Sequence, residues 1–119
     1  MLNFKKYLLE SVVDQTVYHG SDKSFRKFNP KKSIGGIIWF TSDQRKVLEK
    51  EVGAAGHGYI YELKVDLKNP AGWDEYDKYL IFQLESMGYD GAILPNGDGS
   101  FDGFVFDPNQ ITILKKTKV

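Results

Sequence analysis

The chain has 119 residues, of which 41% are hydrophobic and 14% aromatic, so its length and composition predict one folded domain rather than a disordered segment. Sixteen basic and sixteen acidic residues give a formal net charge of zero, and this balance offers no electrostatic signal for nucleic-acid binding. The lack of cysteine excludes disulfides, thiolate catalysis and cysteine-ligated zinc, and the two histidines, His19 and His57, are too few for a histidine-rich metal site. We therefore expect no metal.

The N-terminal segment has the spacing of a helix. Phe4, Tyr7, Leu8 and Val12 share one helical face, which predicts a helix from about Asn3 to Val12, within residues 1–13. A core over residues 17–114 follows in the same domain, which spans 1–119.

The same segment does not have the pattern of a targeting signal. Glu10, Ser11 and Asp14 interrupt its apolar run, and no stretch of the chain approaches the ~18 consecutive apolar residues of a membrane span. We expect a soluble, cytoplasmic protein that does not enter a membrane, with secretion without a classical signal as the alternative.

Strand patterns dominate the first half of the core. "TVYHGS" predicts a short strand and turn, and "GIIWFTS" a second strand rich in β-branched and aromatic residues. A short helix follows, with Ser42 or Asp43 as its N-cap. "YIYELKVDL" alternates in period two from Tyr59 to Leu67, which predicts a half-exposed strand that ends at Asn69 and Pro70.

The second half opens with the clearest helical pattern. Tyr76, Leu80, Leu84 and Met87 form one stripe, and Gly88 is suited to the C′ position. "YDGAIL" and "FDGFVFD" then predict further strands, and "QITILKK" either continues the second of these or adds one more. Because strands outnumber helices and do not alternate regularly with them, we predict an α+β fold with mainly antiparallel sheets and helices on their outer faces.

Two glycine-rich segments carry less chemistry than they suggest. "GDGSFDG" has the wrong spacing for a dinucleotide loop, and a strand rather than a helix follows it, so a hairpin turn is the better interpretation. His57 in "AAGHG" is best interpreted as a solvated loop histidine.

Asp102 is an acidic residue in a strand that is otherwise apolar. Strand alternation places it on one face with Phe104 and Phe106, and an acid beside a core face costs free energy unless it is paired, hydrogen-bonded or in a cleft. Asp107 precedes Pro108, and a turn or cap role explains it.

Three separated motifs together resemble a known family. "VYHGS", "GGIIWFTSD" and "FDGFVFDPNQI" occur in the order and rough spacing of an ADP-ribosyltransferase domain of the His-Tyr-Glu class, which includes diphtheria toxin and the poly(ADP-ribose) polymerases. The chain is most similar to the small domains of this kind in phage polyvalent proteins. The resemblance runs from about Val17 to Leu114 and implies split antiparallel β-sheets with a few flanking helices.

The resemblance also implies a site for NAD as substrate. His19 matches the histidine that hydrogen-bonds the adenosine ribose, and Gly20, followed by Ser21, matches the glycine whose backbone grips the nicotinamide carboxamide. Trp39, with Phe40 beside it, falls where a ring packs against nicotinamide. Asp102 falls on the catalytic acid, whose carboxylate stabilises an oxocarbenium-like centre as the bond from ribose to nicotinamide breaks.

The match departs from the family at two places. The family carries glutamate where this chain has Asp102, which is one methylene shorter. The helix after the second motif carries Val47 and Lys50 near the positions of a small or hydroxyl residue and a stacking tyrosine, so Tyr59 or Tyr61 would have to supply the ring.

These residues leave three functional hypotheses. The first is a transferase that moves ADP-ribose from NAD to a macromolecular acceptor, in the first instance a protein, or an NAD glycohydrolase that uses water. The second is a catalytically impaired domain of the same fold that binds a nucleotide or a protein partner. In the third, His19 only caps a turn and Asp102 pairs with a nearby lysine. A phage origin would place the activity in the host cytoplasm.

Overall fold

The computed structural model describes residues 11–21, 37–48 and 58–118. Within them seven strands form one sheet in the order β4-β5-β6-β2-β1-β3-β7, with every neighbouring pair antiparallel except β4 and β5. The strands are β1 Val17–Ser21, β2 Ile38–Thr41, β3 Tyr59–Val65, β4 Pro70–Ala71, β5 Gly91–Pro95, β6 Phe101–Val105 and β7 Ile111–Lys118. The predicted α+β class and the mainly antiparallel pairing are confirmed.

The sheet has a narrow waist where β1 meets β2. A single residue pair, Tyr18 with Thr41, joins these two strands, whereas the other antiparallel neighbours pair over four to seven residues. The waist divides the strands into a β1-β3-β7 half and a β4-β5-β6-β2 half. The described strands therefore form one continuous sheet, whereas the sequence analysis predicts more than one antiparallel sheet.

Two hydrophobic clusters lie on opposite faces of the β4-β5-β6-β2 half. The first cluster joins both halves of the sheet, because Ile38, Phe40 and Val105 pack with residues of β1 and β3 such as Val17 and Leu63. The second cluster lies between this half and the helices, and its buried members are Ile37, Ala71, Leu84, Ala92, Leu94 and Phe104.

Three short α-helices accompany the strands in the described part of the chain: α1 Gln44–Leu48, α2 Trp73–Lys78 and α3 Ile81–Ser86. The predicted single helix over Tyr76–Met87 is wrong, because the chain is extended at Tyr79 and restarts with Leu80 as the N-cap of α3. The Gln83 side chain accepts a hydrogen bond from the Leu80 N–H at 2.8 Å and so stabilises the new start. Leu80 and Met87, assigned to the buried stripe, are 62% and 49% exposed.

The end of α3 matches its prediction. Gly88 has a φ of 96°, the left-handed conformation that glycine adopts without a steric cost. Its N–H donates to Glu85 O at 3.1 Å, and the Tyr89 N–H donates to Leu84 O at 3.2 Å. These two hydrogen bonds are the pair that defines a Schellman cap.

Most of the predicted N-terminal helix lies outside the described residues. Its last two positions, Ser11 and Val12, are not helical. Instead the Val12 N–H donates to Leu67 O at 2.7 Å, and the Ser11 hydroxyl accepts from the Leu67 N–H at 2.9 Å, so this segment extends the pairing beyond β3. Val13 rather than Val12 enters the first cluster, because Val12 is 54% exposed.

None of the helices in the described part of the chain has the length and apolar character needed to cross a membrane.

Candidate functional site around the waist of the sheet

The three motifs lie on three neighbouring strands, since β1, β2 and β6 carry "VYHGS", "IWFT" and "FDGFV" and stand side by side. Tyr18 pairs with Thr41, and Thr41 pairs with Asp102, so one row of residues crosses all three strands at the waist. Segments more than eighty residues apart in the sequence therefore meet within about 10 Å, the span of two strand spacings.

His19 bridges the two strands where they part. Its Nδ1 lies 2.6 Å from the backbone oxygen of Trp39, and because a carbonyl only accepts, Nδ1 carries the hydrogen and donates. The imidazole thus takes the place of a backbone ladder bond beyond the single β1–β2 pair. Burial lowers the pKa of His19 below its ordinary value of 6.5, and the bond to Trp39 opposes this only in part, so the ring is neutral at neutral pH.

Gly20 and Ser21 continue β1 past His19. Gly20 is buried and pairs with Ile60, and Ser21 is partly buried and pairs with Tyr59. The two residues are regular strand positions, so a ligand would meet the edge or the face of a strand there rather than a turn.

Trp39 packs against the second cluster rather than standing open. Its ring lies edge-on to Phe104 at a centroid distance of 5.0 Å and to Tyr76 at 6.3 Å. The side chain is only partly buried, so one part of the indole still reaches the surface.

Phe40 belongs to the core and not to a cofactor site. Its side chain is 1% exposed and its ring lies edge-on to Phe101 at 6.4 Å within the first cluster. Alternation along β2 explains this, because neighbouring residues point to opposite faces and both faces of this strand are covered. A ring buried in this way leaves no surface for nicotinamide to contact.

Asp102 carries the one unexplained polar atom of the site. Its Oδ1 is buried and has no hydrogen-bond partner within the described residues. No lysine pairs with Asp102 within the described residues, where the ion pairs join Arg45 to Asp43 and Lys68 to Asp66. An uncompensated buried carboxylate oxygen costs free energy, and such atoms are expected where a ligand or a proton completes the site.

Thr41 is a site residue that the sequence analysis missed. It is fully buried, stands directly opposite Asp102, and its hydroxyl oxygen accepts from the Asp43 N–H at 3.1 Å. Directly paired residues of antiparallel strands point to the same face, so this hydroxyl neighbours the carboxylate. The period-two alternation of "IWFT" places Thr41 on the same face as Trp39. Its position opposite Asp102 follows only once the register with β6 is known.

The faces of the sheet separate the candidate residues into two groups. Trp39 and Asp102 lie on the face of the second cluster, because each alternates with or pairs to Phe104. His19 starts from the face of the first cluster, where it pairs with Tyr61 at a ring distance of 6.5 Å. The bond from His19 to the Trp39 carbonyl is therefore the contact that links the groups through the waist.

The two candidates for the stacking tyrosine, Tyr59 and Tyr61, differ in their exposure. Tyr61 is fully buried, whereas Tyr59 is partly exposed on the same face of β3. Val47, at the family's helix position, is 2% exposed and cannot contact a ligand, and Lys50 lies outside the described residues.

A polar groove of about 360 Å³ adjoins the row across the waist. Tyr18 and Ser42 line it together with Ser100 from the β5–β6 turn, and the Asp43–Arg45 pair forms its rim with contacts at 2.8 and 3.1 Å. The Arg45 side chain holds the pKa of Asp43 below its usual range, so this carboxylate is charged at neutral pH. Ser42 does not cap α1, because its hydroxyl accepts from the Phe101 N–H at 2.8 Å and ties the groove to β6.

The "DPNQ" segment is structural, as predicted for Asp107. The Asp107 carboxylate accepts from the Asn109 N–H at 2.9 Å and begins a short 3-10 helix, Pro108–Gln110. Gln110 then donates to the carbonyls of Asp66 and Asp90 at 2.9 and 3.0 Å and joins the ends of β3, β5 and β7. The predicted hairpin turn is also confirmed, with Gly97 and Gly99 at positive φ between β5 and β6.

Comparison with known proteins adds no family to these observations, because no family model, curated protein or solved structure matches the chain. Within residues 11–21, 37–48 and 58–118, no group of three or more histidine, aspartate or glutamate side chains has the arrangement of a metal site.

Proposed function

We propose that this chain is an NAD-dependent ADP-ribosyltransferase domain that binds NAD at the waist between β1 and β2 and cleaves it with Asp102. The observation that carries the proposal is the row Tyr18–Thr41–Asp102, which brings the three family-like motifs onto adjacent strands beside a narrow join. A sheet that almost divides at this join is in keeping with the split sheets that the resemblance implies.

The chemistry asks for a carboxylate in a place shielded from water. Nicotinamide leaves with the bonding electron pair, positive charge develops on the ribose C1′, and a carboxylate bonded to the 2′-hydroxyl stabilises that charge. An acceptor hydroxyl, amine or water then adds to C1′ and gives up its proton. Asp102 offers a buried carboxylate oxygen that no described residue occupies.

The proposal makes one geometric demand. His19 and Asp102 start from opposite faces of the sheet, so NAD would have to reach across the waist between β1 and β2 in order to contact both. The ribose end would lie beside His19, and the nicotinamide end would lie near the exposed part of Trp39.

Turnover and binding of three variants test the proposal. The unmodified protein should release nicotinamide from NAD, and Asp102→Asn should lower this rate by about 10²-fold or more while NAD affinity changes by less than about threefold, because the charge acts mainly in the transition state. Asp102→Glu should retain or raise the rate. Asp77→Asn, an exposed carboxylate in α2, is the matched control and should leave both quantities unchanged. Labelled NAD and a cell lysate would then identify the acceptor.

A second candidate is a domain that binds a nucleotide without cleaving it. The separation of His19 from Asp102 across the sheet favours it, as does the packing of Trp39 against Phe104 and Tyr76. NAD binding with no nicotinamide release, also with Asp102→Glu, would select this candidate over the enzyme.

A further inference from the structure

The turn between β5 and β6 holds an asparagine directly before a glycine. Asn96 and Gly97 begin the connection, residues 96–100, and the Asn96 N–H donates to Ser100 O at 2.9 Å and closes the turn. The Asn96 side-chain amide donates from Nδ2 to the Ser100 hydroxyl at 3.1 Å and is only partly buried. Water therefore reaches the turn that holds this amide.

The backbone nitrogen of Gly97 is not engaged in the turn. Its N–H donates to no acceptor within the described residues. Gly97 is exposed with a φ of 83°, and a Cβ placed on it would meet no atom within 4 Å. Because glycine has no side chain, this nitrogen is unshielded and its backbone turns more freely than that of any other residue. The nitrogen is therefore able to approach the side chain of Asn96.

The other asparagines in the described part of the chain lack this combination. Asn69 precedes Pro70, whose nitrogen carries no hydrogen and has no free electron pair to attack with. Asn109 is exposed, but the N–H of the next residue, Gln110, donates to Asp107 O at 3.0 Å. Asn109 is therefore an internal control, since it offers the same side chain beside a nitrogen that is already bonded.

Asp98 precedes Gly99 in the same turn, but its carboxylate is engaged. It accepts from the Ser100 hydroxyl and from the Ser100 N–H, the second at 2.9 Å. These two hydrogen bonds hold the pKa of Asp98 below its usual range, so the group is ionised at neutral pH. An anionic carboxylate repels an attacking electron pair and has no amine to release, whereas the neutral amide of Asn96 has both properties that the attack requires.

We propose that Asn96 is a site of spontaneous deamidation. The Gly97 nitrogen gives its proton to a base in the solvent and attacks the amide carbon of Asn96. The new C–N bond closes a succinimide ring, and the amide nitrogen leaves as ammonia. Water then adds to either ring carbonyl and opens the ring, which gives aspartate or isoaspartate at this position. The net change converts the side-chain amide and one water into a carboxylic acid and ammonia.

The product weakens the turn beside the polar groove. It lacks the Nδ2 donor to the Ser100 hydroxyl, and it places a second carboxylate near Asp98, which already accepts from that hydroxyl. Asp98 and Ser100 both line the groove, so the chain gains a negative charge next to it. Like charges repel at this distance, and the turn loses a hydrogen bond at the same time.

Incubation of the folded protein in water enriched in heavy oxygen, followed by proteolysis and mass spectrometry, tests the proposal. Asn96 should gain one heavy oxygen atom and release ammonia at a rate at least about tenfold above that of Asn109. The rate should rise from about pH 5 to about pH 8, because the Gly97 nitrogen reacts only after it loses its proton. Asn96→Gln, whose longer side chain closes a less favourable ring, should take up no heavy oxygen at this position.

Several results would overturn the proposal. Equal rates at Asn96 and Asn109 would remove the role of the Gly97 nitrogen. Heavy oxygen at Asp98 without release of ammonia would move the reaction to the other acid of the turn. Reaction at Asn96 in urea but not in the folded protein would show that the fold holds the amide away from Gly97.

An aspartate introduced at the site measures the effect on the turn. Asn96→Asp should lower the thermal midpoint by about 2–4 °C, because the hydrogen bond to Ser100 is lost and a like charge is added. Asn109→Asp makes the same change at an exposed position and should shift the midpoint by less than about 1 °C. Equal midpoints of the two variants would overturn the effect proposed for the turn.

Discussion

The two halves of the sheet distribute charge in opposite ways. Along β4, β5, β6 and β2 the only charged side chain is Asp102, whereas β1, β3 and β7 carry His19, Glu62 and four lysines. The first half is covered on both faces, by the first cluster and by the cluster beneath the helices, while the second half exposes most of β7. A charge is therefore ordinary in one half and costly in the other, which is why Asp102 indicates function more strongly than any lysine does.

The largest expected effect comes from the core that both halves share. Phe40→Ala should lower the free energy of unfolding by about 3–5 kcal/mol, because it removes a fully buried ring from the first cluster. Chemical denaturation measures the change. Leu80→Ala, at an exposed position, should cost less than about 0.5 kcal/mol. A stable Phe40→Ala protein that has lost only NAD binding would return Phe40 to the ligand site.

The second largest loss of stability is expected where β5 and β6 approach each other closely. A Cβ at Gly103 would collide with the backbone oxygen of Ala92 and with the Phe40 ring, so Gly103→Ala should cost about 3 kcal/mol. Gly72→Ala, where a Cβ meets nothing within 4 Å, should cost no more than about 1 kcal/mol. Similar thermal midpoints for the two variants would mean that this half tolerates looser packing than the contacts suggest.

The Gln110 side chain, which joins the ends of strands in both halves, should contribute less to the free energy of unfolding. Gln110→Ala removes a side chain that donates to Asp66 O and Asp90 O and accepts from the Asp107 N–H at 2.9 Å, so we expect a loss of about 2 kcal/mol. The neighbouring Asn109→Ala changes an exposed side chain and should be close to neutral. An unchanged Gln110→Ala protein would show that water replaces these bonds without cost.

The smallest effect is a dependence of stability on pH at the waist. The unfolded chain takes up a proton on His19 near pH 6.5, whereas burial lowers the pKa of His19 in the folded protein. Stability from this residue is therefore complete above pH 6.5 and is lost as the pH falls toward the lowered pKa, by at most about 1.4 kcal/mol per pH unit. His19→Gln should abolish this slope between pH 7.5 and pH 5, measured by urea unfolding.

The other histidine of the sequence serves as the control for that slope. His57 lies outside the described residues, and His57→Gln should keep the dependence on pH that His19 gives. A slope that disappears with His57→Gln and survives His19→Gln would contradict the assignment to the waist.

Patterns within single segments were sufficient to predict much of the fold. The alternation of "YIYELKV" predicted β3, "YDGAIL" and "FDGFVFD" predicted β5 and β6, and Gly88 predicted the end of α3. The helical stripe from Tyr76 to Met87 failed because Glu75 and Gln83 each accept from a backbone N–H three residues earlier, at Gly72 and Leu80, and so favour two starts.

Predicting the site required the register between strands, which the sequence of a single segment does not reveal. Motif order brought His19, Trp39 and Asp102 to neighbouring strands, but the pairing of Thr41 with both Tyr18 and Asp102 is a relation between strands. A bulge at Leu114, an extra residue in β7 opposite β3, reverses the faces of the lysines that follow, and alternation in "ITILKKTK" does not reveal it. Phe40 was misassigned for a similar reason, since one strand position decides between the core and the surface.

Release of nicotinamide from NAD by the unmodified protein and by Asp102→Asn tests the central claim most directly. The expected result is turnover by the unmodified protein and a loss of about 10²-fold or more in the variant, with NAD affinity retained. Equal release by both proteins, or no release by the unmodified protein at saturating NAD, would contradict the assignment of Asp102 as the catalytic carboxylate.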